Sequence, residues 1–326
     1  MNLSNFIFCG VLSGLLAYAN ATNSQPTLNL TGYLDETGVI SVLHNGDSAD
    51  PYFAIQALLL AHENGMNITQ QSKMFADWLV TLQKPDGTFD RFCRGKNKVW
   101  IACKTADADD ALLALWMKLL DTMPSHLKQN PHLMKSYLTS KASLDHLFQP
   151  SRGIYMVSPV YLHGLFMDNL EVWSLKTNYE SNRQDEANKL AAAINNTFWD
   201  SVNKKYMVST QFEQRTQKPA FYPDHVAQIY PQLMGFSKLP INENNYYKKW
   251  MAEHRAEWLR QGEKDYPWGL IAVLAWRQND LDSARCWLRQ ATPMRHSERW
   301  AVTDEASYQI LITKGVTQAS KSFSCV

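Results

Sequence analysis

Six times in this chain a nearly all-apolar helical run starts at an acidic or aromatic cluster, and more polar runs with a single apolar stripe lie between them. The apolar runs start near Asp50, Asp107, Asp168, Asp224, Tyr266 and Asp304. The first reads Ala54-Ile55-Gln56-Ala57-Leu58-Leu59-Leu60-Ala61 and the second Ala111-Leu112-Leu113-Ala114-Leu115-Trp116. Between the first two lies Thr69 to Gln83, with Met74, Phe75, Trp78, Leu79 and Leu82 on one stripe. Further striped runs cover Pro131 to Leu147, Asn182 to Phe198, Asn242 to Arg260 and Leu281 to Gln290. A helix that is apolar around most of its circumference is buried, whereas a striped helix sits at a surface. The pattern therefore predicts an all-α fold, an (α/α)6 toroid of six inner helices inside a ring of outer ones, spanning 47–326 as one domain. The last hairpin is incomplete, because only a polar tail follows the sixth inner run. Strands are expected only as short hairpins near Gly153 to Val157 and Lys205 to Val208.

Residues 1–21 read as a removable leader. Asn5 to Ala19 carries no charge, and Ala19-Asn20-Ala21 is an A-x-A cleavage pattern. The run is shorter than the roughly 20 apolar residues a membrane span needs. The expectation is a secreted or periplasmic protein with no stable membrane insertion after cleavage. Residues 22–46 are polar and read as an extended lead-in. With 32 basic and 31 acidic residues the net charge is +1, which gives no electrostatic reason to bind nucleic acid. Cys93, Cys103, Cys286 and Cys325 would remain after cleavage. Cys93 and Cys103 bracket a polar loop that a disulfide could close, and the cysteines lack zinc-ligand spacing. No phosphate-cradling glycine loop, H-E-x-x-H or nucleophile elbow is present, so no metal and no cofactor is expected.

In a toroid of this kind the inner helices run parallel and their N-termini meet at one rim. Acids suit a helix start, since they cap it and offset the positive end of its dipole. Capping explains one acid per helix. It does not explain Asp109 beside Asp110, Glu171 after Asp168, or Glu305 after Asp304. Paired carboxyls, one protonated and one ionised, are the apparatus of glycoside cleavage, and crowding separates their pKa values. The candidate catalytic residues are Asp107, Asp109, Asp110, Glu171 and Glu305. Asp107 and Asp110, three apart, are read as sharing a helix face, so the working pair is one Asp of this group with Glu171 or Glu305 from across the ring. Trp173, Trp268 and Trp300 are expected to be sugar platforms, with Asp50, Asp168, His225 and Tyr308 completing the substrate contacts. The expected ligand is an oligo- or polysaccharide.

The alternation and the acidic rim resemble the six-hairpin glycosidase superfamily. Within it, Thr105-Ala106-Asp107-Ala108-Asp109-Asp110-Ala111-Leu112-Leu113-Ala114 is similar to the D-A-D-x-x-x-A stretch of family 8 glycoside hydrolases. The resemblance implies that Asp107 or Asp109 lies at the cleavage site. That family's acid-bearing glutamate near the first helix has no counterpart; here the chain reads Asp47-Ser48-Ala49-Asp50-Pro51-Tyr52, and the general acid stays unassigned. Asp107-Ala108-Asp109-Asp110 also resembles the D-x-D-D of class II terpene cyclases, and Gln83 to Phe89 their Q-x-x-x-G-x-W repeat, but those enzymes need two barrels. Two other readings use the same rim. A polysaccharide lyase could draw on His163, Tyr222 and His225, with Arg91 and Arg94 facing a uronate. A glycan-binding or polysaccharide-assembly accessory protein would keep the aromatic residues and tie up the acids.

Overall fold

The computed structural model describes residues 25–177, 184–215, 217–241 and 243–325; the leader expected at 1–21 lies outside these. Eleven helices form the body: α1 (Pro51–Glu63), α2 (Thr69–Leu79), α3 (Asp109–Thr122), α4 (Pro131–His146), α5 (Phe166–Thr177), α6 (Gln184–Phe198), α7 (Val226–Leu233), α8 (Glu243–Leu259), α9 (Gly269–Arg277), α10 (Leu281–Ala291) and α11 (Val302–Thr313). The odd-numbered helices pack in a closed ring, each on the next and α11 back on α1, and the even-numbered ones lie outside. This is the (α/α)6 toroid. Burial follows the sequence pattern: every residue of α3 from Asp110 to Leu120 is buried. Outer α10 buries only a stripe that includes Ala284, Cys286, Trp287, Leu288 and Ala291. Each large apolar side chain so buried contributes about 1.5–3 kcal/mol, and the core holds Trp116, Trp258, Trp287 and Trp300 almost fully enclosed.

Among the described residues no sixth outer helix is present, and the lead-in packs in its place. Leu28, Leu30, Tyr33, Val39 and Ile40 are buried in the main core. The Leu28 amide donates to Asn67 O at 3.1 Å beside α2, and Asn29 bonds Gln309 of α11 through both its amide and its carbonyl. The segment thus closes the seam between the first and last hairpins. The C-terminal tail folds back on α10 instead, where Cys325 forms a disulfide with Cys286. Cys93 and Cys103 are also joined, across the hairpin of β2 (Asp90–Arg94) and β3 (Trp100–Thr105), to which β1 (Ser48–Ala49) adds a third strand. Two-residue ladders at 148–155 and 199–206 are the other hairpins among the described residues.

Connections on the two rims differ in length. From inner to outer helix they are short, as at 64–68 and 278–280. From outer to inner helix they include 80–108, 147–165 and 199–225. Long loops on a rigid scaffold are where binding residues concentrate, and here they all rise from the rim that carries the inner N-termini.

Candidate active site

The centre of that rim holds three carboxyls with no cation between them. Asp110 is the second residue of α3, and Asp168 and Glu171 occupy the first turns of α5, which packs directly on α3. The Asp168 and Asp110 carboxyls lie close enough for each to affect the other's ionisation. Asp110 Oδ2 and Asp168 Oδ2 meet no N–H or hydroxyl donor. Asp110 Oδ1 accepts the Ala111 amide at 2.9 Å. Burial, reinforced by the Asp168 charge, holds Asp110 well above the usual carboxylate range. Burial likewise pushes Asp168 up to about 7. Asp110 is inaccessible, whereas Asp168 is partly exposed.

Glu171 lies beneath this pair and is 1% exposed. Its Oε1 accepts the hydroxyls of Tyr52 at 2.7 Å and Tyr230 at 2.5 Å, from the first and fourth inner helices. The two hydroxyls are 3.1 Å apart, and Gln56 Nε2 donates to Tyr52 Oη at 3.2 Å. Burial and the nearby Asp168 charge push Glu171 up to about 8, against the two tyrosine hydrogen bonds. Four of the six inner helices therefore contribute side chains to this buried cluster. Sequence reasoning missed the tyrosines: Tyr230 stands 59 positions from Glu171, and nothing local marks either as an acid's partner.

Arg91 of β2 organises the edge of the cluster. Its Nε lies 2.7 Å from Asp50 Oδ2, and its Nη2 pairs with Asp107. Asp50 also caps α1, accepting the Tyr52 amide at 3.0 Å. Asp107 does not share a helix face with Asp110: α3 begins at Asp109, so Asp107 stands in the turn before it with its side chain 76% exposed. Asp109 sits apart, toward Lys84, Asp86 and Asp90, and burial pushes it up to about 6. Above the acids, the exposed Tyr222 ring stacks on Trp268 at 5.4 Å between centroids. Burial and the charges of Asp168, Glu171 and Asp107 push the Tyr222 hydroxyl up to about 12. Trp268 is placed by a left-handed backbone (φ 53°) just ahead of Gly269, where a Cβ would meet Ser307 Cβ at 2.6 Å.

Several expected site residues lie elsewhere. Trp300 is fully enclosed and Trp173 is 6% exposed, so both are core rings and neither can be a sugar platform. Glu305 is held by Arg295 through two bonds of 2.9 and 2.7 Å, by Trp300 Nε1 at 3.0 Å and by Gln309 at 2.8 Å. These bonds pull its carboxyl below the usual range against the cost of burial. Asp304 caps two chain starts, accepting Gly269 N at 2.7 Å and Ala301 N at 3.3 Å, and burial pushes it up to about 7. Tyr308 packs beneath the Arg295 guanidinium, 4.3 Å from its ring centre. His225 bonds Glu257 of α8 at 2.8 Å, on the outer flank. Arg94, expected to face a uronate, is engaged with Asp35 and stacks over Trp100. The missed signal for Glu305 was local, an arginine ten positions before it.

By sequence, neither a family model nor a curated protein matches the chain. By structure, it is similar to an alpha-amylase from Clostridium perfringens, with a TM-score of 0.57 at 10% identity over 88% of this chain and 95% of that one. It is also similar to the GH63 mannosylglycerate hydrolase from Thermus thermophilus, solved in complex with glucose, with a TM-score of 0.52 at 12% identity over 87% and 98%. An uncharacterised conserved protein of the same bacterium matches at a TM-score of 0.52 and 10% identity over 87% and 98%. The chain shares the α/α toroid fold of these structures.

Proposed function

We propose that this protein is an exported, glycan-cleaving enzyme of glycoside hydrolase type, with Asp168 as the proton donor. One observation carries the reading: Asp168 is a partly exposed residue on the loop-bearing rim, with one buried oxygen lacking a hydrogen-bond partner and a carboxyl that burial pushes up to about 7. Cleavage requires such an acid beside the leaving oxygen and an ionised carboxylate opposite. Burial, with the nearby Asp107 charge acting in the same direction, holds the Asp168 proton near neutrality against the opposing pull of the Asp110 carboxyl and the Asp168 backbone. Asp107, exposed and paired with Arg91, is the partner carboxylate that deprotonates the attacking water or itself attacks the anomeric carbon as the protonated leaving oxygen departs. The Tyr222–Trp268 stack offers an apolar face for a sugar ring over the acids. The alpha-amylase and mannosylglycerate hydrolase that share the fold are named for saccharide substrates, which supports the same class here.

Export is supported by the two disulfides, which persist in oxidising compartments. Among the described residues no helix is long and apolar enough to cross a membrane. A non-cleaving glycan-binding role is the second reading, favoured by the engagement of both Asp50 and Asp107 with Arg91. A panel of neutral and acidic polysaccharides, read for new reducing ends and for unsaturated uronates, separates the two. Reducing ends released by the wild type and lost in Asp168→Asn support hydrolysis. Unsaturated products would replace it with a lyase, and retained binding without any cleavage would establish the second reading.

A further inference from the structure

The side chains at the outer flank of the rim form a second, unrelated centre. His225 precedes α7, and His254 and Glu257 lie one turn apart on α8, so all three face the groove between these helices. His225 Nδ1 is 2.8 Å from Glu257 Oε2, and His254 Nδ1 is 4.0 Å from the same oxygen. The two imidazoles stack at 4.1 Å between centroids. One ligand atom from each residue lies within 4.8 Å of the others. Around a tetrahedral ion with bonds of about 2.0–2.2 Å, such atoms would stand roughly 3.4 Å apart, a spacing within reach of small side-chain rotations.

The surroundings suit a fixed site. Trp250 Nε1 donates to the His225 carbonyl at 2.8 Å, pinning that residue's backbone to α8. Trp250 also flanks the His254 ring at 5.5 Å, and Phe221 meets the His225 ring edge-on at 6.4 Å. All three candidate ligands are partly buried, and the groove remains open beside them for a water or for Glu253, whose Oε2 is 3.8 Å from His254 Nε2. Two imidazoles and one carboxylate with an open fourth position are a donor set for a borderline divalent metal, not for calcium or magnesium, which prefer all-oxygen shells.

We infer that His225, His254 and Glu257 form a binding site for a divalent transition-metal ion of the zinc class, which clamps outer helix α8 to the start of inner helix α7. The glycan site does not depend on it. Zinc titrated calorimetrically into the chelator-treated full-length protein tests the site. The expected result is one tight ion per chain, with binding weakened at least about tenfold in both Glu257→Gln and His254→Gln. Zinc should raise the unfolding temperature of the wild type and not of these variants. Because Glu257 is 40% exposed, its isosteric substitution leaves the fold intact, and unfolding curves taken in chelator verify this. Absence of uptake, or uptake undiminished in both variants, would overturn the site and reduce the trio to a hydrogen-bonded pair with a stacked neighbour. Anomalous scattering at the zinc edge gives an independent reading: a peak among these three residues supports the site, and a peak elsewhere refutes it.

Discussion

Two inner-helix starts look alike in sequence and are chemically opposite. At α5, Asp168 and Glu171 stand in the first turns; at α11, Asp304 and Glu305 do. Glu305 has Arg295, Trp300 and Gln309 for partners, so it is an ionised structural acid. Glu171 is buried beside another acid, and these two effects raise its carboxyl to about 8 against the pull of two tyrosine hydroxyls. Asp304 and Asp168 are both raised to about 7 by burial, and their pKa values alone do not separate them. What separates them is use: both oxygens of Asp304 accept backbone amides, whereas Asp168 is a partly exposed residue with one oxygen left without a hydrogen-bond partner. The number of acids at a helix start says little. Their partners and their access decide whether they cap, clamp or react.

The largest expected effect is at Asp168. Replacing it by Asn keeps the shape and removes the transferable proton, so turnover of any glycan the wild type cleaves should fall about 100- to 10,000-fold. Initial rates at saturating substrate measure this, and an unfolding curve like the wild type's shows that the fold is intact. At the other helix start the expected effect is on stability. Arg295→Met leaves Glu305 buried without its cation and should cost about 2–3 kcal/mol in urea unfolding. The figure is discounted because the Arg295 side chain is 33% exposed. A loss of activity per folded molecule in Arg295→Met would break the distinction between the two sites.

A smaller effect is expected at the aromatic stack. Tyr222→Ala removes an exposed ring, so stability should change by less than about 0.5 kcal/mol. KM should rise roughly tenfold, the equivalent of about 1.4 kcal/mol of lost ring contact. A further effect is a slope. Asp168 and Glu171 bind protons in the folded state up to about 7 and 8, whereas in the unfolded chain they release them near 4. The stability they contribute is therefore full below about 4 and lost as pH rises toward 8. Glu305 acts in the opposite sense: its lowered carboxyl contributes at neutral pH and loses that contribution as pH falls through its folded value. Unfolding free energies measured from pH 5 to 8 should decline in the wild type and decline less in Asp168→Asn with Glu171→Gln. An unchanged slope would show that the acids at α5 are not protonated as described.

The toroid was legible in the sequence because burial on all sides leaves an unmistakable apolar run, as in Ala111 to Trp116, and the striped helices match their outer positions. The rim was legible as a set of helix starts. The lead-in was not, since Leu28, Val39 and Ile40 are scattered through a polar stretch and find their core partners only in three dimensions. The tryptophans misled for a related reason: a ring near a helix start can point into the core, as Trp173 and Trp300 do. The clamp on Glu171 and the bridge of Arg91 between Asp50 and Asp107 join residues from separate hairpins. No local pattern encodes such pairings; the closure of the ring creates them.

The decisive measurement is a matched pair of initial rates, Asp168→Asn against Asp304→Asn, on the glycan that the wild type cleaves fastest. Both substitutions are isosteric, and both remove a carboxyl raised to about 7 at an inner-helix start. The expected result is that Asp168→Asn abolishes turnover while folding normally, and that Asp304→Asn lowers stability yet keeps the rate per folded molecule. A wild-type rate in Asp168→Asn would contradict the assignment of the rim as a site of proton donation.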